Sequence, residues 1–183
     1  MAISTPKSAY LKGVTGALPF LLVVIPFGML FGVVGTEAGL SLAQVMGFTT
    51  LVIAGAAQFT AIQLMVDEAP TIVVIVSALA VNLRMAMYAA ALAPYLGPAP
   101  LWQRAMIAYL NVDQTYALSH QRFEDRPGMS VPERVAFFVG CATPILPIWI
   151  LSTLAGALIG AAIPPEYALD FAVPITFIAL VAP

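Results

Sequence analysis

The sequence contains 183 residues, of which 61% are hydrophobic and 9% are charged, and its net charge is −2. A soluble domain carries roughly 25% charged residues, so this composition excludes a water-facing surface and predicts a polytopic membrane protein. The lack of a basic surplus excludes nucleic-acid binding by phosphate neutralisation, and the single cysteine, Cys141, excludes an internal disulfide framework.

Long apolar runs separated by short polar turns favour transmembrane helices over the alternating strands of a barrel. Each crossing needs about 20 apolar residues, so we predict an all-α bundle of about six spans in one transmembrane domain, residues 1–183. The first four predicted spans are residues 14–34, 42–66, 71–96 and 101–119. A fifth span opens with the polar segment at residues 130–133 and ends near residue 163, and a sixth begins near residue 167. Residues 1–13 form a cytoplasmic N-terminus, residues 120–132 form a loop, and the apolar ending at Pro183 suggests C-terminal truncation.

Two helix starts carry a local signature. Ser41 is followed three residues later by Gln44, and Ser130 is followed three residues later by Glu133. This spacing predicts capping boxes, in which the two side chains satisfy free amides of the first turn.

The basic residues predict the orientation, because Lys and Arg concentrate in cytoplasmic loops. Five of them flank the two segments that we assign to the cytoplasm: Lys7, Lys12, Arg122, Arg126 and Arg134. An odd number of spans between the Glu37 turn and the Arg122 loop agrees with this assignment. Arg104 is the exception, because it falls on the predicted outer side.

Prolines and glycines interrupt several spans, and each internal proline removes a backbone hydrogen bond. The residues that we predict to break or pack helices are Pro19, Pro26, Gly28, Gly32, Gly55, Pro144, Pro147, Gly156, Gly160 and Pro174. Such residues serve close helix packing alone, or expose backbone groups at a mid-membrane substrate site. Pro19, Gly28 and Gly32 recur 128 residues later, which suggests a parallel internal repeat.

Polar residues deep in apolar helices are the main functional candidates, since a charge at the bilayer centre costs about 2.5–3.5 kcal/mol. Arg84 lies in the third span, and Asp113 in the fourth is its natural partner. The amides that accompany them at similar depth are Gln58, Asn82, Asn111 and Gln114. The alternative is structural: an ion pair that fixes helix packing, with interhelical hydrogen bonds from the amides.

The sequence carries no enzyme signature. It has no GxSxG, HExxH or Walker motif. Its one histidine, His120, falls at the start of the predicted loop and is expected to be solvated. We therefore predict neither an enzyme nor a metal or cofactor site.

Three polar segments resemble the AzlC family, the large subunit of bacterial branched-chain amino-acid exporters. They are AGAAQF at residues 54–59, VNLRM at residues 81–85 followed by Tyr88, and DQTYAL at residues 113–118. The resemblance implies an export permease of the bacterial inner membrane for valine, leucine, isoleucine or methionine. It also implies proton drive and a small AzlD-like membrane subunit. Gln114 stands where the family usually has an acidic residue, and the family is longer at its C-terminus.

On this resemblance we expect alternating access. The substrate carboxylate would bind Arg84 or the N-terminus of a broken helix, and its ammonium would bind Asp113, Asn82, Asn111 or Gln58. Asp113 is the first candidate for proton coupling, because burial favours the neutral carboxyl group. Asp170 is the second. The competing hypotheses are a membrane scaffold or assembly subunit, and a channel.

Overall fold

A computed structural model describes residues 5–161 of the chain, and these residues divide into two compact units. The first unit holds residues 5–23 and 84–148. The second unit holds residues 24–83 and 149–161. Asp170, Pro174 and the predicted sixth span lie outside the described residues.

The described residues are helical and contain no strand, which confirms the predicted all-α membrane bundle. The helices are α1 Pro6–Ala17, α2 Leu21–Glu37, α3 Leu42–Leu51, α4 Gly55–Val66, α5 Thr71–Leu96, α6 Leu101–Leu110, α7 Asp113–Asp125 and α8 Val131–Gly160. A 3-10 turn, Leu18–Phe20, joins α1 to α2. Three segments are long and apolar enough to cross a membrane: Pro6–Glu37, Thr71–Leu96 and Val131–Gly160.

Both predicted capping signatures begin helices. The Ser41 amide donates to Gln44 Oε1 at 2.8 Å, and the Gln44 amide donates to Ser41 Oγ at 3.4 Å. The Ser130 amide donates to Glu133 Oε2 at 2.8 Å at the start of α8. Local hydrogen bonding therefore fixes where α3 and α8 begin.

In the second unit, α3 runs antiparallel to α2. The ring of Phe48, near the end of α3, lies 6.1 Å from the ring of Phe31. Val45, one turn earlier in α3, lies against Gly35, one turn later in α2. Successive contacts thus move in opposite directions along the two helices.

Helix α4 runs parallel to α2 in the same unit. Phe59 near its start packs on Phe27 and Phe31, with ring centroids 5.0 and 5.6 Å apart, respectively. Ile62, one turn later, lies against Gly35. Helices α3 and α4 therefore form a helical hairpin, and residues 52–54 are its apex.

The first unit contains a second hairpin, whose first arm is antiparallel to α5. The Asn111 side-chain amide, directly after α6, donates to the carbonyl of Met85 at 3.5 Å. Arg104, at the start of α6, lines a cavity together with Leu96 and Gly97 at the end of α5. Helix α6 therefore starts beside the end of α5 and runs back along it.

The second arm, α7, runs parallel to α5. Tyr116 stacks on Tyr88, with ring centroids 4.2 Å apart and an interplanar angle of 9°. Two turns further along both helices, Phe123 packs on Tyr95 at 5.5 Å. Because α6 and α7 have opposite directions along α5, they form a hairpin with its apex at Asn111 and Val112.

Residues 42–66 and 101–119 were each predicted to form one crossing, but each region contains a hairpin of two short helices. Helices α3, α4, α6 and α7 have 10, 12, 10 and 13 residues, or about 15–20 Å. Each is too short for a hydrocarbon core of about 30 Å. The break between α6 and α7 is stable because Thr115 Oγ1 donates to the carbonyls of Leu110 and Val112.

The hairpin also corrects two assignments in the first unit. Arg104 lies at the end of the unit where α5 ends and α8 begins, together with Arg122, Arg126 and Arg134, and not at the opposite end. The predicted loop 120–132 is mostly helix, because α7 continues to Asp125.

The two hairpins repeat at a spacing that the sequence reading missed. Helix α3 begins at Leu42 and α6 begins at Leu101, 59 residues later. Helix α4 begins at Gly55 and α7 begins at Asp113, 58 residues later. In the 128-residue pattern, Gly28, Gly32, Gly156 and Gly160 lie where α2 meets α8 in the second unit. The parallel repeat that this pattern suggests stays a prediction.

The prolines take two different positions. Pro19 lies in the 3-10 turn between α1 and α2, directly after the end of α1. Pro26 lies inside α2, and Pro144 and Pro147 lie inside α8. These helices continue past their prolines, and the two hairpin apices, residues 52–54 and 111–112, contain no proline.

Candidate functional site

The apex of the α6–α7 hairpin meets the middle of α5 at an ion pair. Arg84 Nη1 lies 3.2 Å from Asp113 Oδ2. The two side chains are 30% and 43% exposed, respectively, so the pair is reachable without being freely solvated. This is the contact that the sequence predicted between the third and fourth apolar segments.

The position of Asp113 follows from the break in the helix. It is the first residue of α7, where free backbone amides and the helix dipole favour a negative charge. The Val112 amide is satisfied by Thr115 Oγ1 at 2.9 Å, which holds the first turn in place. The carboxylate is therefore stabilised both by Arg84 and by the helix that carries it.

Two tyrosines complete one side of the site, and sequence reasoning did not assign them a role. Tyr88 lies one turn after Arg84 on α5, and its hydroxyl lies beside the Asp113 side chain. Tyr116 lies one turn after Asp113 and stacks on Tyr88. The spacing of four residues between Arg84 and Tyr88 could have predicted this contact, because it places both side chains on one helix face.

Three polar atoms around the ion pair have no hydrogen-bond partner among the described residues. They are Arg84 Nε, Asn111 Oδ1 and Asp113 Oδ1, and each atom is buried. Asn111 as a residue is only 6% exposed. A buried polar atom without a partner costs about 1–3 kcal/mol, so one free donor and two free acceptors make this place the candidate site.

An apolar cavity of about 170 Å³ adjoins Asn111 between α5 and α6. Small and aliphatic side chains form most of its wall: Ala89, Leu92, Ala93, Ile107 and Ala108. Sites for drug-sized ligands occupy about 300–1,000 Å³, so this cavity fits only a small aliphatic group.

Gln58 and Asn82, also predicted for the site, belong to the second unit. Gln58 is fully buried, and its Nε2 donates to the carbonyls of Phe48 and Val52 at 3.1 and 2.6 Å, respectively. Its side chain thus caps the end of α3 at the other hairpin apex. Gln58 Oε1 and Asn82 Oδ1 are buried and have no partner among residues 5–161.

His120 lies within α7, and not in a loop as predicted. Its Nδ1 is 3.5 Å from Glu124 Oε2, and its ring packs near Tyr95 and Tyr116. Within the described part of the chain, no cluster of three His, Cys, Asp or Glu side chains could hold a metal ion.

The sequence and the site agree with one family of membrane proteins. The family model for the AzlC protein matches residues 19–163, which include both hairpins and the Arg84–Asp113 pair. The chain belongs to the AzlC family. Membership indicates a role related to membrane transport.

One curated relative of this AzlC chain is an uncharacterized membrane protein of Helicobacter pylori (strain ATCC 700392 / 26695). The two are 27% identical over 156 residues, which cover 83% of this chain and 66% of the relative. The chain thus spans about two thirds of that protein's length. No solved structure matches the chain significantly.

Proposed function

We propose that this AzlC protein exports branched-chain and other hydrophobic amino acids across the bacterial inner membrane by alternating access. The observation that carries the proposal is the set of unpartnered atoms around the ion pair, Arg84 Nε, Asn111 Oδ1 and Asp113 Oδ1. One donor beside two acceptors is the pattern that an amino-acid zwitterion requires.

In this proposal the two charged ends of the substrate separate the pair. The substrate carboxylate accepts hydrogen bonds from the Arg84 guanidinium, whose planar fork matches a carboxylate. The substrate ammonium donates to Asp113 and to Asn111 Oδ1. Gln58 and Asn82, which the sequence also predicted for the ammonium, belong to the second unit, and their role stays a prediction.

Proton coupling follows from competition for Asp113. A proton on its carboxyl group removes the negative charge that holds the ammonium, so proton and substrate bind in turn. Inward proton movement then drives outward release of the amino acid. Asp170 stays a second candidate for the proton.

The substrate side chain would lie in the apolar cavity beside Asn111. Its volume of about 170 Å³ and its wall of alanine, leucine and isoleucine suit an aliphatic group. They do not suit a sugar or a nucleotide, whose hydroxyl groups would lose hydrogen bonds there. These features favour the aliphatic amino acids.

The orientation is inferred from the first unit, which carries all seven Lys and Arg residues of the chain. Five of them lie in or beside the helix ends of that unit: Lys7, Arg104, Arg122, Arg126 and Arg134. By the positive-inside rule this end and the N-terminus face the cytoplasm. We further propose that a small AzlD-like subunit completes the transporter.

The experiment is leucine and valine transport in proteoliposomes, with this chain alone and with the small subunit. Saturable uptake driven by a proton gradient is expected, with strong losses in Arg84→Gln and Asp113→Asn. Arg126→Gln, which removes a charge from the loop after α7, is the matched control. Normal transport by both site variants would rule out the site. A current that does not saturate would indicate a channel, and transport without this chain would indicate a scaffold.

A further inference from the structure

A second cavity in the first unit, of about 360 Å³, lies between α1, α7 and the start of α8. The transport proposal does not use it. The residues that shape its chemistry are Lys12, Thr15, Gln121, Arg122, Asp125 and Phe137. Five of its eight lining residues are polar or charged, and two of these five are cations.

The two cations are available to a ligand. The Arg122 guanidinium lies 5.7 Å above the Phe137 ring, and its Nε is buried without a hydrogen-bond partner. Within residues 5–161, neither Arg122 nor Lys12 forms an ion pair. Buried donors normally find an acceptor, so the cavity is complementary to an acceptor-rich group.

The charge balance favours an anion. Lys12 and Arg122 outnumber the one carboxylate of the lining, Asp125, which is exposed at the end of α7. The side-chain amide of Gln121 supplies a further hydrogen-bond donor at the rim.

The two cations of the cavity lie within about two turns of the ends of their helices. Arg122 lies three residues before the end of α7, or about 5 Å. Lys12 lies six residues after the start of α1, or about 9 Å. The polar layer on each side of the hydrocarbon core is about 5–8 Å thick. A group bound between these side chains therefore lies near the membrane surface.

An exposed apolar face adjoins the cavity. Leu11 precedes Lys12 on α1, Leu18 follows the end of that helix, and both side chains are about half exposed. Basic pockets between membrane helices on the cytoplasmic side suit phospholipid headgroups. We propose that Lys12 and Arg122 bind the phosphate group of an acidic phospholipid, whose acyl chains lie along Leu11 and Leu18.

The test is native mass spectrometry of the full chain in detergent, titrated with phosphatidylglycerol or phosphatidylcholine. Lys12→Gln and Arg122→Gln should each weaken phosphatidylglycerol binding roughly fivefold, and Asp125→Asn should strengthen it. Arg126→Gln removes the same charge outside the cavity and should leave the binding unchanged. Lys12 is exposed, so its variant reports on binding even if Arg122→Gln fails to fold.

Several outcomes would overturn the proposal. One is an equal effect of Lys12→Gln and Arg126→Gln, and another is equal binding of phosphatidylcholine. Weaker binding in Asp125→Asn would instead assign a ligand that bears an ammonium group. Stabilisation of lipid-free protein by inorganic phosphate as strong as that by phosphatidylglycerol would assign a free anion to the cavity and reject the lipid.

Discussion

The side-chain amide of Asn111 donates to the main-chain carbonyl of Met85 across 3.5 Å and joins the apex of the α6–α7 hairpin to α5. Met85 directly follows Arg84, and Asn111 lies two residues before Asp113. The hydrogen bond and the ion pair therefore connect the same two segments, the middle of α5 and the apex of the α6–α7 hairpin. This double attachment sets the distance between the groups to which we assign the substrate.

Arg84 and Asp113 should show energetic coupling in a double-mutant cycle. Arg84→Gln and Asp113→Asn each leave one partly buried charge without its partner, whereas the double variant leaves none. Because both side chains are partly exposed, we expect a coupling energy of about 1 kcal/mol. Thermal or denaturant unfolding of the detergent-purified variants measures it. Additive effects of the two substitutions would show that the pair contributes nothing to stability.

The hairpin predicts on which side of the membrane Arg104 lies. The only native cysteine, Cys141, is fully buried. Labelling by a maleimide therefore reports on the introduced cysteine alone. In intact cells, a membrane-impermeant maleimide should label neither Arg104→Cys nor Arg126→Cys, and permeabilisation should expose both. If residues 101–119 formed one crossing, the Arg104→Cys variant alone would react in intact cells.

Local and chemical features of this structure were readable from the sequence, and the hairpins were not. The Ser41–Gln44 box depends on four neighbouring residues, and the Arg84–Asp113 pair follows from the scarcity of charge. A run of about 25 apolar residues, however, has the same composition as one crossing or as two half-length helices. In the second hairpin, only the polar residues Asn111 and Asp113 mark the break between the two helices. Polar residues at such positions are equally compatible with one unbroken helix that lines a site.

Close packing of α2 against α8 should make Gly156 intolerant of a side chain. A Cβ at this position would overlap the backbone of Met29, so Gly156→Ala should destabilise the protein by about 1–3 kcal/mol. Gly47→Ala is the control, because that glycine lies inside α3 with nothing within 4 Å of an added Cβ. There the better helix propensity of alanine should stabilise the protein by up to about 1 kcal/mol. Equal melting temperatures of the two variants would contradict the packing.

The cavity beside Asn111 predicts how substrate preference should change. Ala108→Leu adds a branched side chain to its wall and reduces the space left for the substrate side chain. Leucine should then bind about 10-fold more weakly, because one or two methylene groups in an apolar pocket contribute about 1–3 kcal/mol. Alanine, whose side chain is a single methyl group, should lose little. Competition by unlabelled amino acids against labelled valine in proteoliposomes measures this ratio. An equal loss for leucine and alanine would place the substrate side chain elsewhere, while loss of all transport in Asp113→Asn would still locate the charged end of the substrate at the hairpin apex.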